Sequence, residues 1–336
     1  MTSNKSDNID GCVVITGGTG SFGRAFTRTL LANTDAKIRI VSRDEAKQED
    51  MQRELPDSRL TFILGDVRDL RKLASAVDGA TVIVHAAALK RVATGERQAD
   101  EFVKTNVNGT ANVIDAALLA GVPRTMLISS DKAVAPFNAY GKSKALSESL
   151  FVQANIRGAY RRVRFSAVRG GNVWGSRGSV IEVWHERTRA GQPIEVSGPS
   201  STRFHLPMDV WCAFVWRAIG EMRGGEIFVP KLRAWKLGDL AHVFTRAHQD
   251  TAGEPYRFSI AGVLDGDKPH ETLVVSGEAY RTIDVGWCYI VEPSEAVRDV
   301  WEYMPHIGRN LEDGFEYTSA QATRMTREEL RSLISG

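Results

Sequence analysis

Cysteine is scarce. Cys12, Cys212 and Cys288 are the only three in 336 residues, and their spacing makes neither a metal site nor a redox pair. A thiol such as Cys12, at the start of an apolar run, behaves as a small hydrophobe. Long hydrophobic runs are lacking too. No stretch has the length of a signal peptide or a membrane span, so a cytoplasmic protein with no membrane partner is expected. The polar, mixed-charge first residues (1–10) are expected to form a disordered leader. Charge of one sign is also missing: 43 basic residues face 41 acidic ones, for a net charge of +2. No long basic run marks a nucleic-acid surface, and the cluster Arg161-Arg162-Val163-Arg164 reads as the solvated flank of a strand. Internal repeats and low-complexity linkers are absent, which argues against two independent domains. What remains is an ordinary globular composition, 43% apolar and 25% charged.

Taken in order, the chain alternates strand and helix. Cys12–Thr16 is a β-branched run of buried-strand composition. It enters Gly17-Gly18-Thr19-Gly20-Ser21-Phe22-Gly23 and then a helix over 21–32. Glycines 17, 20 and 23 let the backbone turn tightly and approach a pyrophosphate at the helix N-terminus, which predicts a dinucleotide site. A second strand (37–41) ends at Ser42-Arg43-Asp44. A hydroxyl beside a guanidinium suits a 2′-phosphate, so NADP is favoured over NAD. The alternative leaves Arg43 solvated and Asp44 on the ribose. The third strand (60–64) delivers Asp66 and Val67 to the adenine edge, and the fourth (81–84) leads through His85 to the small residues Ala86 and Ala87. His85 reads as structural. Lys90 is placed equally as a loop lysine or as a contact to phosphates.

A continuous helix is predicted from Asp100 to Ala120, with Asn106 reaching backbone near the reactive groups. A fifth strand (124–128) delivers Ser130. Asn138 is the expected N-cap of the next helix, which carries Tyr140 and Lys144 one turn apart on one face. A cation there would lower the phenol from its ordinary value of about 10. Ser130, Tyr140 and Lys144 together suit carbonyl/alcohol redox chemistry, with Asp131 and Lys132 as a further acid and base. Gly17–Gly23, Ser42, Asp66, Ala86 and Ser130 all fall at strand carboxyl ends of an α/β, doubly wound parallel sheet, and the helix of Tyr140 and Lys144 follows the last of them. The domain reading is a Rossmann unit over 11–180, its sheet completed by segments near 205–231. A smaller, discontinuous C-terminal domain (181–336) would bind substrate.

The motifs TGGTGSFG (16–23), SRDE (42–45), GDVRD (65–69), HAAALK (85–90), VKTNVNGT (103–110), SSDKAVAPFNAYGKSK (129–144), GNVWGSRGSV (171–180) and GGEIFVPK (224–231) resemble one family throughout. It is the extended short-chain dehydrogenase/reductase group of inverting nucleotide-sugar 4,6-dehydratases, whose type members act on UDP-N-acetylglucosamine. The resemblance implies that Tyr140, with Ser130 and Lys144, takes the C4 hydroxyl proton while hydride passes to NADP. Lys132 would then take the C5 proton, its amine kept partly neutral by desolvation and by Lys144, and Asp131 would protonate the departing C6 hydroxyl. It places a UDP-sugar against Lys90, Asn172, Arg177, Ser179 and Arg203, with Glu271 accepting from the uridine ribose. It also implies a homo-oligomer, dimer or hexamer, for which the Trp-rich C-terminal half would supply interface. A simple UDP-sugar 4-epimerase or 5-epimerase on the same Ser/Tyr/Lys set is the alternative. The chain departs from the family at Gly170, Trp174 and His205, and lacks its usual prolines over 91–99.

Overall fold

The computed structural model describes residues 9–176, 178–248, 253, 256–261 and 267–335. Six strands, β1 (Cys12–Thr16), β2 (Lys37–Ser42), β3 (Leu60–Leu64), β4 (Val82–His85), β5 (Arg124–Ser130) and β6 (Arg164–Gly170), lie parallel in the order 3-2-1-4-5-6. This is the doubly wound arrangement, and its order reverses between β1 and β4, where a crevice opens at the strand carboxyl ends. β1 is buried at all five positions, as a central strand covered by helices on both faces must be. Strand Ile227–Pro230 extends the sheet parallel to β6. Three short antiparallel strands, Cys288–Val291, Thr282–Asp284 and Arg309–Asn310, complete it at ten.

Several expectations change. The leader was expected to run to residue 10, yet Ile9 is fully buried in the core; residues 1–8 lie outside the described chain. Strand Thr202–Leu206 does not complete the main sheet. It lies in a separate three-stranded sheet between Asn172–Val173 and Arg233–Lys236. Phe204, Leu206 and Ala234 of this sheet pack into the main core, while a second, smaller apolar cluster includes Trp184, Ile194, Trp235 and Phe244. The C-terminal tryptophans are structural: Trp184, Trp211 and Trp235 are buried, and Trp216, Trp287 and Trp301 pack against the main core.

The helix predicted over 100–120 is interrupted. Ala99–Phe102 passes into a π-helical turn, Val103–Asn108, before Gly109–Ala120. The wide turn carries Asn106, whose buried amide bonds Leu89 N and O at 2.7 and 3.0 Å and Ser143 Oγ at 2.9 Å. Apolar spacing alone does not register such a local slip in the hydrogen-bond ladder. Among the described residues no helix is long and apolar enough to cross a membrane.

Candidate active site

A cleft of about 1110 Å³ runs along the carboxyl ends of the parallel strands. One end is built by the glycine loop. Gly17 has φ +68°, and a Cβ there would lie 2.8 Å from the Ala87 backbone; a Cβ on Gly23 would lie 2.4 Å from Gly18 O. These glycines allow β1, the loop and helix α1 (Ser21–Asn33) to close up on one another. The Gly20 N-cap makes no side-chain cap bond and the first turn holds no acidic residue. The helix N-terminus therefore meets the cleft with its amide dipoles uncompensated, a fit for a pyrophosphate. Thr19, Ser21, Phe22, Ala86, Ala87 and Lys90 line the same stretch.

Farther along, Ser42, Arg43 and Val67 form the wall, joined by Lys47, which sequence reasoning missed. Asp44 caps helix α2 (Glu45–Glu54), accepting from Lys47 N at 3.1 Å, and is paired with the Lys47 ammonium. Lys47 engages the carboxylate, and Asp44 itself also lines the cleft. The signal for Lys47 was its place in the first turn after that cap. Asp66 does not line the cleft as expected at an adenine edge. Arg68 takes its carboxylate at 2.8 Å and Arg43 lies 3.6 Å away, since a carboxylate between two guanidinium groups is more stable paired than turned to a neutral base. Asn106 is likewise behind the wall, holding Leu89, while its neighbour Thr105 lines it. His85 is structural, fixed between Thr16 and Thr110.

The reactive end is assembled by β5 and the helix Ala139–Gly158. Asn138 caps that helix, accepting from Gly141 N at 2.7 Å. Tyr140 and Lys144 face the cleft from it; Ser130, Asp131 and Lys132 face them from the end of β5. Ser130 is hydrogen-bonded to Tyr140. Burial pushes the Tyr140 phenol up, and the Ser130 bond and the Lys132 charge only partly oppose it. This reverses the expected lowering: desolvating a phenolate outweighs the nearby cation. Burial brings Lys144 down to about 8 against the opposing pull of Glu148, and its ammonium donates to Ile128 O at 2.8 Å.

Lys132 also departs from expectation. Burial alone would lower it, but the carboxylates of Asp131 and Glu271 hold it well above the usual lysine value. Its nitrogen lies 3.2 Å from Asp131 and 2.6 Å from Glu271 Oε1, so the neutral amine expected from desolvation near Lys144 is not the resting form. Burial raises Asp131; Lys132 opposes this and Glu271 adds to it. The folded value lies above the unfolded one. The protonated carboxyl therefore adds stability below the unfolded value, and that contribution is lost as pH rises through the folded value. Asp131→Asn is expected to raise the melting temperature by a few degrees at pH 8 and to leave it unchanged near pH 3, measured by calorimetry.

The substrate residues divide. Asn172 lines the cleft. Ser179 instead caps the helix Val180–Arg189, and Arg177 lies outside the described residues. Arg203 turns to Thr202 O at 2.9 Å and to Glu271 at 3.6 Å. Glu271 is not placed to accept from a ribose: it is buried behind Lys132, where a desolvated ammonium needs a counter-charge. The departures also find a packing reason. A Cβ on Gly170 would lie 2.9 Å from the Trp211 ring, so Trp211 fills the space a larger residue at 170 would take. Trp174 packs edge-on to His205, ring centroids 5.3 Å apart, outside the cleft lining.

Residues 13–293 match the family described as polysaccharide biosynthesis protein. The chain belongs to that family. Similar members include a Campylobacter jejuni protein named UDP-N-acetylglucosamine 4,6-dehydratase (inverting), 35% identical over 96% of this chain and 97% of its own. A Rickettsia canadensis protein named UDP-glucose 4-epimerase is 36% identical over 97% of this chain and 96% of its own. Among solved structures, Pen from Bacillus thuringiensis superposes with a TM-score of 0.88 at 30% identity, covering 97% of both chains. A Streptomyces venezuelae dTDP-glucose 4,6-dehydratase, 21% identical with a TM-score of 0.66, shares the fold.

Proposed function

We propose that the protein is an NADP-dependent, C5-inverting UDP-N-acetylglucosamine 4,6-dehydratase. The observation that carries this is Asp131 and Lys132 side by side on the cleft wall, opposite Tyr140. A 4-epimerase needs a group to move the C4 hydroxyl proton but no acid and base for C6 and C5. When bound, the nicotinamide cofactor takes a hydride from C4 and returns it at C6. Tyr140, held by Ser130, takes the C4 hydroxyl proton. Lys132, its resting proton passed to Asp131 3.2 Å away, takes the proton from C5, which the C4 ketone has made acidic. Asp131, kept protonatable by burial, gives its proton to the C6 hydroxyl, which departs as water. Reprotonation of C5 from the opposite face completes the inversion.

The choice of NADP rests on Ser42, Arg43 and Lys47 at one end of the cleft, with the Asp44 carboxylate there neutralised by Lys47. A hydrogen bond to a charged group contributes about 1.5–3 kcal/mol. Arg43→Ala should therefore raise the KM for NADP+ by about tenfold or more and leave that for NAD+ within about twofold, in steady-state assays with each cofactor.

Proton NMR of the protein with NADP+ and UDP-N-acetylglucosamine in deuterated water tests the reaction. A new upfield methyl signal with deuterium at C5 is expected. New anomeric signals without a methyl would replace this reading with the epimerase one, which the Rickettsia relative's name also favours.

A further inference from the structure

Lys132 does not stand alone in the site. Glu271 reaches it from a segment 139 residues later in the chain and contacts its nitrogen at 2.6 Å. Glu271 does not line the cleft, whereas Lys132 and Asp131 do. Its carboxylate is 1% exposed. Oε2 has no hydrogen-bond partner among the described residues; Oε1 holds the lysine, with Arg203 3.6 Å away. The backbone around it is clamped: Glu271 N donates to Ser319 Oγ at 2.9 Å, and Ser319 N donates to Glu271 O at 2.7 Å. Ser319 is in turn bonded to Thr202. A buried carboxylate so fixed would cost stability if it served only packing.

We propose that Glu271 is a positioning residue that holds the Lys132 ammonium, fixing both the place of its nitrogen and the proton it carries at rest. The acid/base pair at the cleft is then a three-residue unit, Asp131–Lys132–Glu271. The inference rests on the dehydratase reading above. The charged and titratable groups facing Glu271 are Lys132, Asp131, Arg203, Lys268 and Tyr140. Burial would raise Glu271, and Lys132 and Arg203 bring it down, so it is the ionised carboxylate of the unit while Asp131 is the protonatable one.

The test is Glu271→Gln in the full chain with NADP+ and UDP-N-acetylglucosamine. Rates of C5 deuterium incorporation and methyl formation are followed across pH, alongside the transient absorbance of reduced cofactor that reports C4 oxidation. Removing a carboxylate beside an ammonium lowers the ammonium's pKa. The rise of the C5-exchange profile should move to lower pH by about one unit or more, as an opposite charge within ~4–6 Å shifts a group by about 1–3 units. C4 oxidation should stay within about threefold, because a general acid–base group contributes only to its own step. An unmoved profile, or a parallel fall of both steps, overturns the proposal. Glu271→Asp guards against a glutamine variant that does not fold. It keeps the charge but withdraws it by one methylene, so it should retain the wild-type profile with C5 exchange slowed about tenfold or more and the substrate KM unchanged. Wild-type exchange rates in Glu271→Asp would overturn the positioning role. If the wild-type protein itself forms no methyl product, the dehydratase reading fails and this inference with it.

Discussion

Lys132→Arg should abolish formation of the 6-deoxy product while leaving C4 oxidation running. Arginine keeps the positive charge and can still pair with Asp131 and Glu271, so the buried carboxylates are not abandoned. It cannot give up its proton at any working pH. A base is thus deleted with the local charge intact. General acid–base groups contribute about 10²–10⁴-fold, so C5 exchange and methyl formation should fall by at least about a hundredfold. The reduced-cofactor transient should persist at its equilibrium with substrate, because the 4-ketone has no forward exit. NMR and stopped-flow absorbance on one preparation separate the two steps. Dehydration within tenfold of wild type would remove Lys132 from the role of base and return it to charge pairing alone.

Tyr140→Phe should stop the sequence one step earlier. The ring is half-buried and packs edge-on to the buried Phe102, centroids 6.1 Å apart, and phenylalanine preserves that packing. What is lost is the hydroxyl bonded to Ser130 and facing the cleft. No group then takes the C4 proton, so both the reduced-cofactor transient and the methyl product should drop by about 10²–10⁴-fold. In the wild-type protein the phenol is raised by burial, so the C4 step should speed up as pH rises toward the alkaline range. The variant should show no such rise. A melting temperature within a few degrees of wild type would confirm that chemistry, not folding, was removed. The two variants dissect the reaction: Lys132→Arg keeps the first step, and Tyr140→Phe keeps neither.

Much of this was legible in the chain because it is written locally. The glycine loop lies between a strand and a helix that adjoin it in sequence. Tyr140 and Lys144 are separated by one helical turn, and Asn138 caps that helix from two residues before Tyr140. Such features depend on periodicity and backbone geometry over a few residues, which side-chain spacing reports directly. The doubly wound parallel sheet followed from the same alternation, since parallel strands joined by helices admit few arrangements. The antiparallel edge at Thr282–Asp284 and Cys288–Val291 was not legible. Those strands are three and four residues long and are defined by pairing with segments far away in sequence.

By itself, then, the sequence determined the doubly wound sheet, the glycine loop and the candidate reactive side chains. Only the tertiary structure decided their charge states and partners. Whether Lys132 rests as an amine or an ammonium depends on Glu271 arriving beside it from another element. Whether Tyr140 is raised or lowered depends on how far it is buried. The same holds for Asp66, drawn to Arg68 and Arg43, and for Trp211, which fills the space beside Gly170. Desolvation and ion pairing are set by which distant groups share a low-dielectric volume, and that is a property of the folded chain alone.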